Sequence, residues 1–268
     1  MSLDFGLNGT HVLITGASGG IGLVTTRTFL RLGCYVTAQY NSAPRDLSTI
    51  EDNNLNALQA DLTSESAVAE LFELAELGRD GRPVQILIVN HGIWPTQNVE
   101  LADMTLEQWR NTHAVNLDGS FLVIREFLRR LRGQSAEVLE PASICLIGST
   151  AGKFGEADHG DYASTKASLM YGLVPTLKNE MVRIAPKGRV NSVNPGWVMT
   201  PMAESTIKDD KIRAKALAST PLQKVAMPSD VANQVAVLSS PVLSGHVTGL
   251  NVMVDGGMEG RLLYPPGQ

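Results

Sequence analysis

Short runs of β-favouring residues alternate with longer amphipathic stretches from one end of this 268-residue chain to the other. Read as apolar runs between turn residues, seven strands are expected at His11 to Thr15, Tyr35 to Tyr40, Ala57 to Ala60, Val84 to Asn90, Ile144 to Gly148, Arg189 to Val193 and Leu250 to Val254. Several are apolar at almost every position, as at Ile86 to Val89. That pattern suits strands covered on both faces and predicts an α/β fold, a doubly wound parallel sheet of seven strands with helices on each side. Apolar residues make up 43 % of the chain, and no linker, repeat or low-complexity tract divides it. A single domain over residues 1–268 is expected.

Helices fill the intervals. Gly19 to Leu32 sets Ile21, Thr25, Thr28, Phe29 and Leu32 on one stripe, and Thr63 is expected to cap a helix over Ser64 to Leu77 that buries Val68, Leu71, Phe72 and Ala75. Long helices are expected over Thr105 to Leu131 and Tyr162 to Ile184, the second kinked at Pro175, which has no N–H to give. Both are apolar on more than one face. They suit packing on the sheet inwardly and on another subunit outwardly.

Composition removes several function classes. Lys and Arg number 22 against 27 Asp and Glu, a formal charge of −5 that repels a phosphate backbone, so no nucleic-acid partner is expected. Cys34 and Cys145 lie far apart in apolar surroundings and read as reduced, buried thiols. The histidines, His11, His91, His113, His159 and His246, have no ligand spacing, so no metal site is expected. No signal-peptide core precedes Gly9, the longest aliphatic run is far short of the ~18 residues that cross a bilayer, and Pro265 to Gln268 carries no lipid or peroxisomal address. A soluble, cytoplasmic protein with no membrane partner is expected.

Directly after the first strand, the chain reads Thr15-Gly16-Ala17-Ser18-Gly19-Gly20-Ile21-Gly22 and enters a helix. Gly16 permits a tight turn, Gly20 lets the main chain approach a pyrophosphate, and Gly22 lets the helix press on the sheet. The helix N-terminus then aims its N–H groups at an anion. This is a dinucleotide cradle at the first βα turn, and it makes the expected fold Rossmann-like. About 20 residues further on, an acid would bind ribose hydroxyls and repel a 2′-phosphate. Here Tyr40-Asn41-Ser42-Ala43-Pro44-Arg45 has none before Asp46, so NADP(H) is expected ahead of NAD(H), with Arg45 either a phosphate partner or a solvated loop charge.

Tyr162 and Lys166 stand at i and i+4 on one helix, where their side chains share a face. A free phenol titrates near 10, so proton transfer at pH 7 needs a shift of about 3 units, which a neighbouring ammonium and a nicotinamide cation would supply.

The spacing Thr-Gly-x-x-x-Gly-x-Gly, with Asp61-Leu62, Asn90-His91-Gly92, Asn116, Ser149, Tyr162-x-x-x-Lys166, Asn194-Pro195-Gly196, Thr200 and Val254-Asp255-Gly256-Gly257, resembles the short-chain dehydrogenase/reductase family in its compact form. That family includes 3-oxoacyl-carrier-protein reductases and ketone reductases. The resemblance implies that Tyr162 is the proton donor and base, that Lys166 lowers its pKa and holds the nicotinamide ribose, that Ser149 holds the substrate oxygen, and that Asn116 anchors a water chain to Lys166. It also implies cofactor contacts from Ser18, Ile21, Asp61, Leu62, Asn90, Gly92, Pro195, Gly196, Val198 and Thr200, beside Tyr40, Asn41 and Ser42 at the second strand. A homotetramer or homodimer follows from the same likeness.

Trp94, Ser149, Trp197 and Met202 are candidates to touch a substrate, with Met199 a further apolar candidate and a lid expected at about residues 197–222. Glu156, Asp158 and His159 either border the mouth or are solvated. The chain departs from the family pattern at His91, where alanine is usual, at Gly148, where a second serine is frequent, and at Gly19, where a basic residue often stands. The expected function is NADP(H)-dependent hydride transfer to a ketone or aldehyde, or from a secondary alcohol, of a small to medium apolar molecule. The alternatives are 3-oxoacyl-carrier-protein reduction and a non-redox cofactor sensor.

Overall fold

Burial on both faces is what the apolar runs demand, and one sheet provides it. The computed structural model describes residues 4–203 and 210–258. Strands β1 (His11–Ile14), β2 (Tyr35–Tyr40), β3 (Leu55–Gln59), β4 (Ile86–Val89), β5 (Ser143–Ile147), β6 (Arg189–Pro195) and β7 (Asn251–Val254) lie in the order 3-2-1-4-5-6-7. Every neighbouring pair is parallel, with Leu13 in register between Thr37 and Leu87. β1, β4, β5 and β6 are buried at every position.

The connections are α1 (Gly20–Arg31), α2 (Glu65–Leu77), α3 (Leu106–His113), α4 (Gly119–Leu131), α5 (Ala136–Leu139), α6 (Thr150–Phe154), α7 (Gly160–Ala167), α8 (Val174–Ile184), α9 (Asp210–Ala218) and α10 (Pro228–Ser239). Alternation along the strands sorts the core into two layers. Leu13, Leu87, Val89, Ile144, Leu146 and Val190 pack with Leu71, Phe72, Phe127 and Met181 on one face. Val12, Ile14, Val36, Ile86, Ile88 and Val193 pack with Phe29, Val231 and Val235 on the other. Cys34 and Cys145 are buried in the second layer, and burial raises their thiols to about 11 and about 12.

Several sequence expectations shift. β3 begins at Leu55 rather than Ala57, and β6 runs on through Pro195. Ser64, not Thr63, caps α2, accepting from Ala67 N at 3.3 Å, because Thr63 turns its hydroxyl to Asp61 Oδ1. The two long helices each contain a π turn, at Ala114–Asp118 and Ser168–Leu173. Pro175 therefore stands second in α8, directly after the wider turn, so the change of hydrogen-bond ladder comes before it rather than at it. The expected lid at 197–222 includes residues 204–209, which lie outside the described residues, as does the start of the charged run Lys208 to Lys215.

This topology places the site. The strand order reverses between β1 and β4, and the crevice beyond the carboxyl ends of such strands is where a doubly wound sheet holds ligands. Thr15, Asn90, Ser149 and Gly196 follow β1, β4, β5 and β6 there.

Candidate active site

The first βα turn is held by hydrogen bonds from both flanking strands. Gly16 N donates to Gln39 Oε1 at 2.8 Å, and Asn90 Nδ2 donates to the Thr15 and Gly16 carbonyls at 3.0 and 3.1 Å. Gly16 has φ +61, a left-handed conformation, and a Cβ there would stand 2.8 Å from His91 Cα. At Gly22 a Cβ would stand 2.3 Å from the Gly16 carbonyl oxygen, so the helix can start this close to the turn only without a side chain. No side chain caps α1, which leaves its first N–H groups for an anion in the crevice. The arrangement fits the pyrophosphate of a dinucleotide.

The crevice is about 780 Å³. Of the residues expected to hold a cofactor, Gly16, Ser18, Gly20, Ile21, Gly22, Asn41, Ser42, Asp61, Leu62, Asn90, Gly92, Tyr162, Lys166, Pro195, Gly196, Val198 and Thr200 all line it. Tyr40 does not. Val36, Ala38 and Tyr40 share the face of β2 that packs on the core, while Gln39 and Asn41 face the crevice. Gln39 is not among the expected site residues, although a buried glutamine late in an apolar strand signals a turn to be held.

Ser149 ends β5 and caps α6, accepting from Ala151 N at 3.1 Å. One turn of α7 then carries Tyr162 and Lys166, whose Nζ lies 5.6 Å from the Tyr162 ring centroid and donates to the Ile147 carbonyl at 2.8 Å. Burial pushes the phenol up to about 12, opposed by a hydrogen bond from Ser149 and reinforced by the charge of Glu156. Burial likewise brings the Lys166 ammonium down to about 8. Among the protein's own groups burial is the largest influence and raises the phenol, whereas the expected lowering calls on the nicotinamide cation as well as Lys166.

Asn116 is fully buried in the first π turn. Its amide clamps Ile93, accepting from the backbone N at 2.8 Å and donating to the carbonyl at 2.9 Å, and it also donates to Thr165 Oγ1 at 3.3 Å. It is not bonded to Lys166 directly; a Cβ on Gly92 would lie 3.3 Å from Asn116 Oδ1 and 3.4 Å from Lys166 Nζ.

A family profile described as enoyl-(acyl carrier protein) reductase matches residues 16–259. The chain is 34 % identical over 257 residues to an uncharacterized short-chain type dehydrogenase/reductase of Sinorhizobium fredii, with 93 % of this chain covered but only 43 % of that relative's length. It is 32 % identical over 270 residues to the (3R)-3-hydroxyacyl-CoA dehydrogenase of Mus musculus, covering 96 % and 99 % of the two chains. It matches the crystal structure of a Brucella melitensis protein described as a short-chain dehydrogenase/reductase, glucose/ribitol dehydrogenase, with TM-score 0.81, 30 % identity and coverage of 97 % and 99 %. The chain belongs to the short-chain dehydrogenase/reductase family.

As a short-chain dehydrogenase/reductase it is an oxidoreductase of hydroxyl and keto groups with a nicotinamide cofactor. Its departure at His91 is resolved by packing. His91 Nδ1 lies 2.8 Å from Thr15 Oγ1 and Nε2 lies 3.5 Å from Ser120 Oγ, so the ring spans from the first turn to α4. Burial, with the charge of Lys166, lowers its pKa to about 3, and it is neutral.

At the other end of the crevice, Trp94, Trp197 and Met202 line the wall, joined by Phe154 and Met258, while Met199 is exposed and binds Ala226 through its backbone. Trp94 Nε1 donates to Glu156 Oε1 at 3.2 Å. Burial pushes Glu156 up to about 7, with Trp94 opposing and the charge of Asp161 reinforcing. Neither His159 nor Asp158 lines the crevice; His159 is buried and Asp158 half-buried. His159 is buried against Trp94, ring centroids 4.5 Å apart, with Nε2 3.1 Å from Asn98 Oδ1, and the Asp158 carbonyl accepts from Val99 N at 3.1 Å. Asp161 is fully buried and accepts from Thr112 Oγ1, Gln108 Nε2 and Tyr162 N, at 2.7, 3.2 and 2.8 Å. Among the described residues no group of side chains has the arrangement of a metal site, and no helix is long and apolar enough to cross a membrane.

Proposed function

We propose that this protein is an NADP(H)-dependent oxidoreductase that transfers hydride between a nicotinamide and a ketone or aldehyde, or a secondary alcohol, of a small to medium, largely apolar molecule. One observation carries the reading: Ser149, Tyr162 and Lys166 converge at the carboxyl end of β5, in the same crevice as the glycine cradle.

A bound nicotinamide supplies or takes the hydride and, when oxidised, adds a positive charge beside the phenol. Ser149 and Tyr162 are the two donors to the substrate oxygen, and Tyr162 Oη gives up its proton as that oxygen becomes an alkoxide. In the reverse direction Tyr162 takes the proton back. Lys166 stabilises the phenolate and, by donating to the Ile147 carbonyl, stays fixed under the ring. Asn116 acts through position, holding Ile93 against α7.

Asn41, Ser42 and Arg45 at the end of β2 support NADP(H) over NAD(H), since they line the crevice with no acid among them. The paired arginines of α4 weigh against the acidic carrier protein as a substrate. Arg125 pairs with Glu65, and Arg130 with Glu126 at 2.8 Å and Glu76 at 2.9 Å, so these two are already answered by acids of the protein itself. Exposed Leu106 and Phe121 on α3 and α4, and Tyr171 and Val182 along the second long helix, support a homodimer or homotetramer.

The test follows NADPH and NADH absorbance with a panel of ketones, β-keto thioesters and quinones, beside Tyr162→Phe. Turnover preferring NADPH and lost in the variant is expected. Turnover that survives in Tyr162→Phe removes the mechanism, and inertness to the whole panel with tight NADPH binding favours the sensor.

A further inference from the structure

The substrate end of the crevice holds an acid that no described cation answers. Glu156 follows Gly155 in the turn between α6 and α7, and one of its oxygens accepts from the Trp94 indole. The Trp94 and Trp197 rings meet edge to face with centroids 6.3 Å apart, and Phe154 and Met202 complete an otherwise apolar wall. Among the described residues no Lys, Arg or His forms an ion pair with Glu156. Lys153, three residues away, rests its Nζ on the Phe154 ring at 4.9 Å. The titratable groups around Glu156 give it no counter-charge: Asp161 opposes its ionisation, Tyr162 is itself opposed by it, and burial keeps His159 below its ordinary pKa.

A desolvated carboxylate without a counter-charge is costly, and indole is the aromatic face that best receives a cation. Both features answer to one ligand chemistry. We propose that the substrate carries a protonated amine on its apolar frame, and that Glu156, with Trp94 and Trp197, is the specificity site that receives it. This rests on the reductase reading of Ser149 and Tyr162 and narrows the substrate class within it. An ammonium beside Glu156 also offsets the negative charge that opposes ionisation of Tyr162, so the same contact that selects the ligand favours proton transfer. The rival occupant is a neutral oxygen that takes a hydrogen bond from protonated Glu156.

The full-length protein is titrated at neutral pH with N-methylpiperidin-4-ol, a cation, and with 4-methylcyclohexanol, its neutral ring analogue, following indole fluorescence. Glu156→Gln keeps an acceptor for Trp94 and removes the charge; Glu156→Asp keeps the charge. At least tenfold tighter binding of the amine is expected in the native protein and in part in Glu156→Asp, falling below twofold in Glu156→Gln. Equal binding of the two compounds by the native protein, an amine preference unchanged in Glu156→Gln, or no binding of the amine overturns the proposal. Turnover separates the two readings. A protein that reduces 4-methylcyclohexanone and N-methyl-4-piperidone equally keeps its reductase assignment and loses the ammonium site. One that binds the amine through Glu156 but reduces neither ketone keeps the site and loses the reductase assignment.

Discussion

The Lys166 ammonium sits 5.6 Å from the centre of the Tyr162 ring and is tied to the end of β5 by a 2.8 Å bond to the Ile147 carbonyl. Lys166, one helical turn from Tyr162, is thus fixed to the same strand that presents Ser149. Replacing Tyr162 by Phe removes the proton donor and is expected to lower kcat by about 10²- to 10⁴-fold, and Ser149→Ala by about 10²- to 10³-fold, with cofactor binding little changed. Steady-state kinetics with separately measured NADPH affinity tests both.

Burial at His91 makes stability depend on acid. Its pKa is about 3 in the fold against 6.5 in an exposed histidine, so between these values the unfolded chain binds a proton that the folded one refuses. Stability should fall as pH drops below 6.5, by about 1.4 kcal/mol per unit for this residue. His11, lowered to about 4, adds a second contribution over most of that range. Urea titrations of the native protein and His91→Ala between pH 7 and 4.5 should show a slope reduced by that amount in the variant. Equal slopes would mean that His91 charges within the fold.

Glu156 acts in the opposite sense. Its folded pKa of about 7 lies above the ordinary 4.5, so the fold holds a proton that the unfolded chain releases, and stability is lost as pH rises from 4.5 to 7. Glu156→Gln should match the native protein near pH 4.5 and exceed it by about 1 to 2 kcal/mol above pH 7, after allowance for screening at the crevice mouth. Thermal melts across this range, without ligand, decide it.

Asp161 joins α3 to the start of the helix that carries Tyr162. Replacing it with Ala leaves Thr112, Gln108 and the Tyr162 N–H without their acceptor. A loss of about 3 kcal/mol is expected from denaturant unfolding, together with a fall in kcat larger than any change in KM. Asn, which keeps one acceptor oxygen, should recover part of both.

Arg45 tests the cofactor reading. If it meets a 2′-phosphate, Arg45→Ala should weaken NADPH by about tenfold and leave NADH unchanged, as measured by fluorescence titration. Equal effects on both would assign it to the loop.

The order of strands and the place of the cradle were legible because they depend on periodicity and on glycines, both local properties of the chain. Other features depend on which residues meet across the fold. The face of Tyr40 follows from where β2 lies under α1, and Ser64 displaced Thr63 as a cap because Asp61 takes the Thr63 hydroxyl. The π turns at 114–118 and 168–173 have no spacing signal, since each is a helix yielding to its neighbours. Burial, the largest influence on the phenol, cannot be seen in an i, i+4 pair. Position alone leaves His159 either at the mouth or in solvent, and it is the packing against Trp94 that buries it.

Thr15, His91 and Ser120 come from three distant stretches of chain but meet through one imidazole. Exchanging loops with relatives that have alanine at the middle position would remove the imidazole that joins the first turn to α4, leaving Thr15 bonded to the Asn90 N–H and Ser120 to the Asn116 carbonyl. Chimeras built on this scaffold should therefore carry all three positions as a set, and homologues sorted by residue 91 should show correlated choices at 15 and 120.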